Sequence, residues 1–259
     1  MLNLLLIIVS ILPVVLIGWY IYSKDNDKEP KELLKKLFIY GVLSTVIAII
    51  LENVVKIIIG VSNPGSELSG ISLFIYVLLG ISLIEELSKW FFVYKIGYNH
   101  DEFDEYYDII VYGAFVALGF ACLENVMYVI SGGLQTGILR MFTAVPLHAS
   151  CGVFQGYFLS QAKRLEINKD SDYKKFLYLS IIIPILLHSI YDYVAFSSDS
   201  LFTLIIFGLI VIGVYVFTIL NIRKNSKHNK KFKYKNKFCP NCGSPVNGEY
   251  CPYCGYKNE

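Results

Sequence analysis

The sequence predicts an all-α polytopic membrane protein of about seven transmembrane helices, followed by a small four-cysteine zinc ribbon. Three observations predict it. The chain has 259 residues, 55% of them hydrophobic, and a mean hydropathy of +0.53. That is too apolar for an ordinary soluble domain. Seven apolar runs are each long enough to cross a hydrocarbon core of about 30 Å as a helix of about 20 residues. Finally, Lys and Arg gather in alternate linkers, as they do in multi-pass proteins.

The runs cover roughly 2–22, 37–60, 71–94, 109–130, 139–161, 176–196 and 201–222. They show neither the alternation of a β-barrel nor the one-sided period of a surface helix. The first run has no basic residue before it, a core too long for a leader and no small-x-small site after it, so a retained span is expected. Linker 23–36 carries Lys24, Lys28, Lys31, Lys35 and Lys36. Linker 162–175 carries Lys163, Arg164, Lys169, Lys174 and Lys175. Linkers 61–70, 131–138 and 197–200 carry no Lys or Arg. The positive-inside rule then puts a multi-pass protein in the cell membrane with its N-terminus outside and its C-terminus in the cytoplasm.

The chain divides into a membrane domain (1–222), a basic juxtamembrane linker (223–238, RKNSKHNKKFKYKNKF) and a ribbon (239–259). The linker suits anionic lipid at the inner leaflet, at about 1 kcal/mol per Lys near the surface. Its charge alone is a weak signal for nucleic acid. In the ribbon, Cys239, Cys242, Cys251 and Cys254 form C-x2-C-x8-C-x2-C. Each pair sets two thiolates on one tight turn, and two such turns make a closed tetrahedral site for structural Zn2+. Gly243 and Gly255 follow the pairs, where the turn needs an unusual backbone conformation. A reducing cytoplasm argues against two disulfides. Such a site has no open position for catalysis, which leaves a structural role or the docking of a cytoplasmic protein.

The polar residues inside the apolar runs are the strongest functional signal. Glu85 and Glu86 lie mid-run with Lys89 a turn later. One carboxylate at a helix centre is disfavoured by about 2.5–3.5 kcal/mol on insertion scales. At i and i+4, Glu85 and Lys89 share a face, so one carboxylate can be held by Lys89 while the other points into a cavity. Two close carboxylates suit acid/base work on water; a packing ion pair is the plainer alternative. Glu124 and Asn125 suit either a site or an interhelical hydrogen-bond clamp. His148 suits a site or a satisfied buried ring. His188 and Asp192, at i and i+4, allow the carboxylate to fix the imidazole tautomer, or form a structural bond. Small residues at 113, 114, 119 and 121 allow close helix approach. HExxH and GxSxG are absent, and no Gly-x-Gly-Asp partners Tyr191-Asp192. Cys151, at i+3 from His148, is expected to be an inert buried thiol.

Glu85-Glu86-x-x-Lys89, then Phe103-Asp104-Glu105-Tyr106-Tyr107-Asp108-Ile109-Ile110-Val111-Tyr112-Gly113, then Gly119-Phe120-Ala121-x-x-Glu124-Asn125-x-x-Tyr128, then His148, then His188-x-x-Tyr191-Asp192 together resemble the PrsW family over roughly residues 20–196. The resemblance implies a glutamic-type intramembrane endopeptidase, related to the CAAX-prenyl endopeptidases, that hydrolyses membrane-anchored proteins. A membrane-anchored anti-sigma factor, cut first on its extracytoplasmic side, is the substrate it suggests. By the same resemblance, Glu85 would activate water, with Glu86 and Lys89 tuning and orienting it. His148 or His188 would complete the acid/base pair or stabilise the oxyanion, Asn125 is a candidate donor, and Asp192 would orient His188. The competing classes are a proton-coupled transporter or channel, a noncatalytic scaffold recruiting partners through its ribbon, and a metal-dependent membrane protease with Glu and His ligands. No inverted repeat favours the transporter.

Overall fold

The computed structural model describes residues 2–197, 201–232, 239, 241–244 and 250–257. Nine α-helices account for the membrane domain among them: α1 (Leu2–Ser23), α2 (Lys31–Ile59), the short α3 (Pro64–Glu67), α4 (Gly70–Tyr76), α5 (Leu83–Phe92), α6 (Asp108–Phe142), α7 (Ala144–Ile167), α8 (Tyr173–Phe196) and α9 (Leu201–Lys227). Wider π-helical turns at Val77–Ser82 and Val93–Gly97 join α4 to α5 and extend α5. The third span is therefore one continuous apolar stretch, Gly70–Gly97.

Six described stretches are long and apolar enough to cross a membrane, and the longest, Asp108–Ile167, has 60 residues. At a rise of about 1.5 Å per residue that is about three times the hydrocarbon thickness. It cannot be one crossing. The stretch doubles back at Gly133, whose φ of 74° is open to glycine, so it supplies two crossings and the total agrees with the seven expected. The loop expected at 131–138 is helical apart from that reversal. Residues 134–142 form a return leg, and a break at Thr143 separates it from α7. The break frees carbonyl oxygens inside the protein. Tyr215 Oη from α9 lies 2.8 Å and 2.6 Å from those of Phe142 and Thr143, as a polar backbone at membrane depth requires.

The α6–α7 hairpin is the centre of the bundle. In its most apolar window 72% of residues are buried, against 17–39% for the other spans. Small residues bring the backbones together. A Cβ on Gly113 would lie 2.3 Å from the carbonyl oxygen of Gly152, and one on Gly41 would lie 2.0 Å from that of Val116. So α7 and α2 each approach the α6 backbone with no side chain between them at these points. The outward faces of α1, α2 and α9 expose Leu, Ile and Val in bulk, suited to lipid rather than water.

Beyond α9 the chain packs back on the bundle. Phe232 N–H donates to the Asp104 carbonyl at 2.7 Å, and the Phe232 ring lies against Phe103 and Tyr106. The rest of the expected basic linker, 233–238, lies outside the described residues. In the described part of the ribbon, Cys239 and Cys251 each open a turn in which Gly243 and Gly255 N–H donate back to the cysteine carbonyl, both glycines having φ near 70°. The four sulfurs lie within 4.8 Å of one another. They form a compact thiol cluster able to bind a metal ion.

Candidate active site within the membrane domain

The site is built outward from the third span. The π-helical turn Val77–Ser82 widens the helix just before Glu85 and Glu86 and sets their facing; such turns often accompany functional positions. Both glutamates and Lys89 are buried, Glu86 and Lys89 completely. Lys89 Nζ lies 2.5 Å from Glu86 Oε1 and 3.8 Å from Glu85 Oε2. The ion pair is thus at i,i+3 with Glu86, not chiefly at i,i+4 with Glu85 as helical spacing suggested. The reason is tertiary. His188 Nδ1 of α8 reaches Glu86 Oε1 at 2.8 Å, and Gln155 Nε2 of α7 donates to Glu86 Oε2 at 3.0 Å and to its carbonyl oxygen at 3.2 Å. Donors converge on Glu86 from three helices and draw the ammonium with them.

Glu85 is left with the other role. It lines a cavity of about 380 Å3 together with Glu124, His148, His188 and Asp192. Its Oε2 is buried without a hydrogen-bond partner, and oxygen and nitrogen atoms of Glu85, His148 and His188 fall within 4.8 Å of one another. The two imidazoles stand edge to face, 5.0 Å between centroids. His148 Nδ1 is 3.1 Å from Lys89 Nζ and its Nε2 is 2.7 Å from Glu124 Oε2. With the ammonium donating to Nδ1, Nε2 carries the proton and donates to Glu124. Asp192 Oδ2 lies 3.4 Å from His188 Nε2. Lys89 also sits over the Phe120 ring at 4.4 Å, a cation–π contact.

Glu85, Glu86, Lys89, Glu124, His148, His188 and Asp192, from α5, α6, α7 and α8, thus come together. Asn125 does not join them. Its Nδ2 donates to the Ser10 carbonyl at 2.9 Å and its Oδ1 accepts from Arg140 Nε at 3.1 Å, which fastens α1 and the return leg to α6. Cys151 is buried with its Sγ 3.7 Å from the Pro184 carbonyl oxygen.

Four contributors were not picked out from the sequence. Arg140 Nη2 reaches Glu124 Oε2 at 2.8 Å; an arginine at the mouth of an apolar run was the available signal. Gln155 lies seven residues, two turns, after His148 and so on its face. Glu52 and Lys56 of α2 line the cavity, and a Glu and Lys one turn apart near the end of an apolar run were the sign. The cavity wall also includes Ser62, Asn63 and Phe196, which places its mouth on the side of the linkers without Lys or Arg.

The model of the PrsW family, described as an intramembrane metalloprotease, matches residues 29–220. The class is that of a protease embedded in the membrane. The "Protease PrsW" of Oceanobacillus iheyensis is 34% identical over 219 residues, covering 85% of this chain and 95% of that relative. That of Bacillus subtilis is 36% identical over 176 residues, covering 68% and 75%. That of Clostridioides difficile is 31% identical over 237 residues, covering 89% and 95%. The chain belongs to the PrsW family of intramembrane proteases. No solved structure matches it.

Proposed function

We propose that this protease hydrolyses peptide bonds of membrane-anchored proteins with a water molecule activated by Glu85. The observation that carries the reading is the split between the two glutamates: Glu86 is saturated by Lys89, His188 and Gln155, while Glu85 lines the cavity and has an Oε2 free of hydrogen bonds, 3.8 Å from Lys89 Nζ and 3.9 Å from His188 Nδ1. A carboxylate so placed can take a proton from water as its oxygen attacks the scissile carbonyl carbon. His188 stands beside it to stabilise the oxyanion that forms, its ring oriented by Asp192, while His148 is held by Lys89 and Glu124. Glu85 then returns the proton to the departing amine as the C–N bond breaks. Glu86 and Lys89 hold the imidazoles and fix the charge around them.

The family description names a metal, and a Glu–His–His set is of the right donor type for one. The disposition of these residues does not fit. Both His148 nitrogens are engaged, one by Lys89 and one by Glu124, and the Lys89 ammonium sits at 3.8 Å from Glu85, where a metal's charge would be needed. The ribbon is different: four thiols within 4.8 Å are the soft tetrahedral set that favours structural Zn2+.

The cavity mouth on the linkers without Lys or Arg faces the exterior if the positive-inside rule holds here. That location suits first cleavage of a single-span anti-sigma factor outside the cytoplasm. The basic segment after α9 then meets the anionic inner leaflet, and the ribbon offers a docking surface to a cytoplasmic protein.

The test is co-expression with tagged single-span membrane proteins, followed by blotting for the cleaved product. Glu85→Gln is expected to abolish the product while leaving the protein inserted and thermally stable. Purified protein is expected to hold one zinc per chain, lost from a Cys242→Ser/Cys251→Ser variant that still cleaves. Retained cleavage by Glu85→Gln would sink the glutamate mechanism. A second metal per chain, lost on His148→Ala, would restore the metal-dependent one.

A further inference from the structure

We propose that Asp25, Glu105 and Asp108 form a binding site for a hard divalent cation of the magnesium or calcium class, far from the cavity. Asp25 follows α1 and Asp108 opens α6; Glu124, in the cavity, lies 16 residues further along α6, about 24 Å at the helical rise. Oxygens of the three carboxylates lie within 4.8 Å of one another.

The cluster would be no more than a patch of acids were all of it exposed or ion-paired. Two of its three members are neither, and Glu105 is half-buried. Asp25 and Asp108 are 2% and 1% exposed. Each commits one oxygen to backbone donors: Asp25 Oδ2 accepts from Glu29 N–H at 3.4 Å, and Asp108 Oδ2 from Asp104 and Glu105 N–H at 3.0 Å and 2.6 Å. Each leaves its Oδ1 buried with no N–H or hydroxyl donor, and Asp108 stands within hydrogen-bond reach of the Glu29 carboxyl. A fourth buried carboxyl, Glu29, stands alongside, held by the Tyr112 hydroxyl at 2.6 Å.

The neighbouring cations are occupied elsewhere. Lys28 donates to the carbonyl oxygens of Tyr22 and Asp25 rather than to a buried carboxylate. Lys231 pairs with Asp27 and Asp104. Among the described residues, the ion pairs within 4 Å leave Asp25, Glu29 and Asp108 without a lysine or arginine. Buried anionic oxygens in that state call for a proton or a cation. The donor set is oxygen only, which selects a hard cation and rejects zinc or copper.

A cation there would join three segments: the turn after α1, the turn before α6 and the tail after α9. The tail reaches the cluster through Asn229, whose side chain donates to Glu105 and accepts from Tyr107 N–H at 3.0 Å. Fixing Glu105 therefore fixes the start of the segment that leads to the ribbon.

The experiment uses full-length protein in detergent, chelated and then titrated with MgCl2 or CaCl2 at pH 7.5. The expected result is saturable binding of one ion per chain by calorimetry, with Tm raised by about 5–10 °C at about a hundredfold excess over Kd. The titration names the preferred ion. The response is expected to persist in Glu85→Gln and in Cys242→Ser/Cys251→Ser, and to vanish in Asp25→Asn/Glu105→Gln. Should that variant fail to fold, Glu105→Gln alone, at a half-buried position, is expected to weaken binding at least about tenfold, one lost carboxylate ligand being worth about 1.4 kcal/mol or more. No saturable binding of either ion, or binding unchanged by Glu105→Gln, overturns the proposal and leaves protons as the neutralising species.

Discussion

Lys89 is expected to couple energetically to Glu86 more strongly than to Glu85, and a pair of double-mutant cycles measures the difference. The perturbations are Lys89→Met, Glu86→Gln and Glu85→Gln, alone and in pairs. The separations are 2.5 Å to Glu86 and 3.8 Å to Glu85. At an effective dielectric near 20, the bare attractions are about 6.6 and about 4.4 kcal/mol. Distance alone therefore separates the pairs only in a ratio of about three to two. Two further effects decide. Glu86 gains a charge-assisted hydrogen bond from the ammonium, worth about 1.5–3 kcal/mol, and Glu85 faces a cavity where water screens it. Lys89→Met alone leaves a buried carboxylate without its cation, a change of about 3–5 kcal/mol, whereas removing both charges is close to neutral. The 86–89 coupling should exceed the 85–89 coupling by at least about 2 kcal/mol. Read as thermal unfolding in detergent, that is about 4–8 °C for a chain of this size. Equal couplings, or a larger one with Glu85, would refute the division of roles on which the water-activating assignment rests.

Gln155→Leu should weaken cleavage and lower stability by about 1.5–3 kcal/mol, because two hydrogen bonds to Glu86 are lost inside the bundle; calorimetry and the cleavage blot check it together. Gly113→Ala should destabilise by about 1–3 kcal/mol or more, since its Cβ would meet the Gly152 carbonyl at 2.3 Å, and reduced yield with a lower Tm is the readout. Arg140→Leu should impair cleavage by releasing Glu124 from its 2.8 Å ion pair; activity equal to wild type would remove Arg140 from the site. Asp25 and Glu29, raised by burial to about 6 and about 7, bind more protons folded than unfolded, where their values are about 3.9 and 4.3. Without divalent ions, stability should therefore fall as pH rises from about 4 through about 7, and saturating cation should flatten the fall.

Much of this was legible in the sequence because a bilayer enforces it. A run of 20 apolar residues has few alternatives to a helix, and a carboxylate within it must have a reason. The membership of the cluster was legible for the same cause: Glu85, Glu86, His148 and His188 are conspicuous only against an apolar background. Partner choice was not legible. Helical spacing offers Lys89 to both glutamates; Gln155 and His188, arriving from other helices, decide between them. A reversal within 131–138 was expected, but the helical return leg 134–142 was hidden because it keeps helical residues and carries no charge before Arg140. Asn125 was misleading for a local reason. It adjoins Glu124 in sequence, but neighbours on a helix point about 100° apart, and its face meets α1 rather than the cavity.

The charge balance of the cluster favours the proposed acid/base chemistry over a structural clamp. Glu85, Glu86, Glu124 and Asp192 bring four potential negative charges; Lys89 and Arg140 bring two positive ones, and Glu52 and Lys56 at the cavity edge offset one another. With neutral imidazoles the site would hold a net charge of about −2 within a low-dielectric interior, which is strongly unfavourable. Two protons shared among the histidines and carboxylates restore neutrality. A clamp would be better served by two more fixed cations, which need no titration. A site neutralised by protons on imidazole and carboxyl groups already contains what peptide hydrolysis requires: one group able to give up a proton, another able to accept it, and a route of short contacts between them through His188, Glu86, Lys89 and His148.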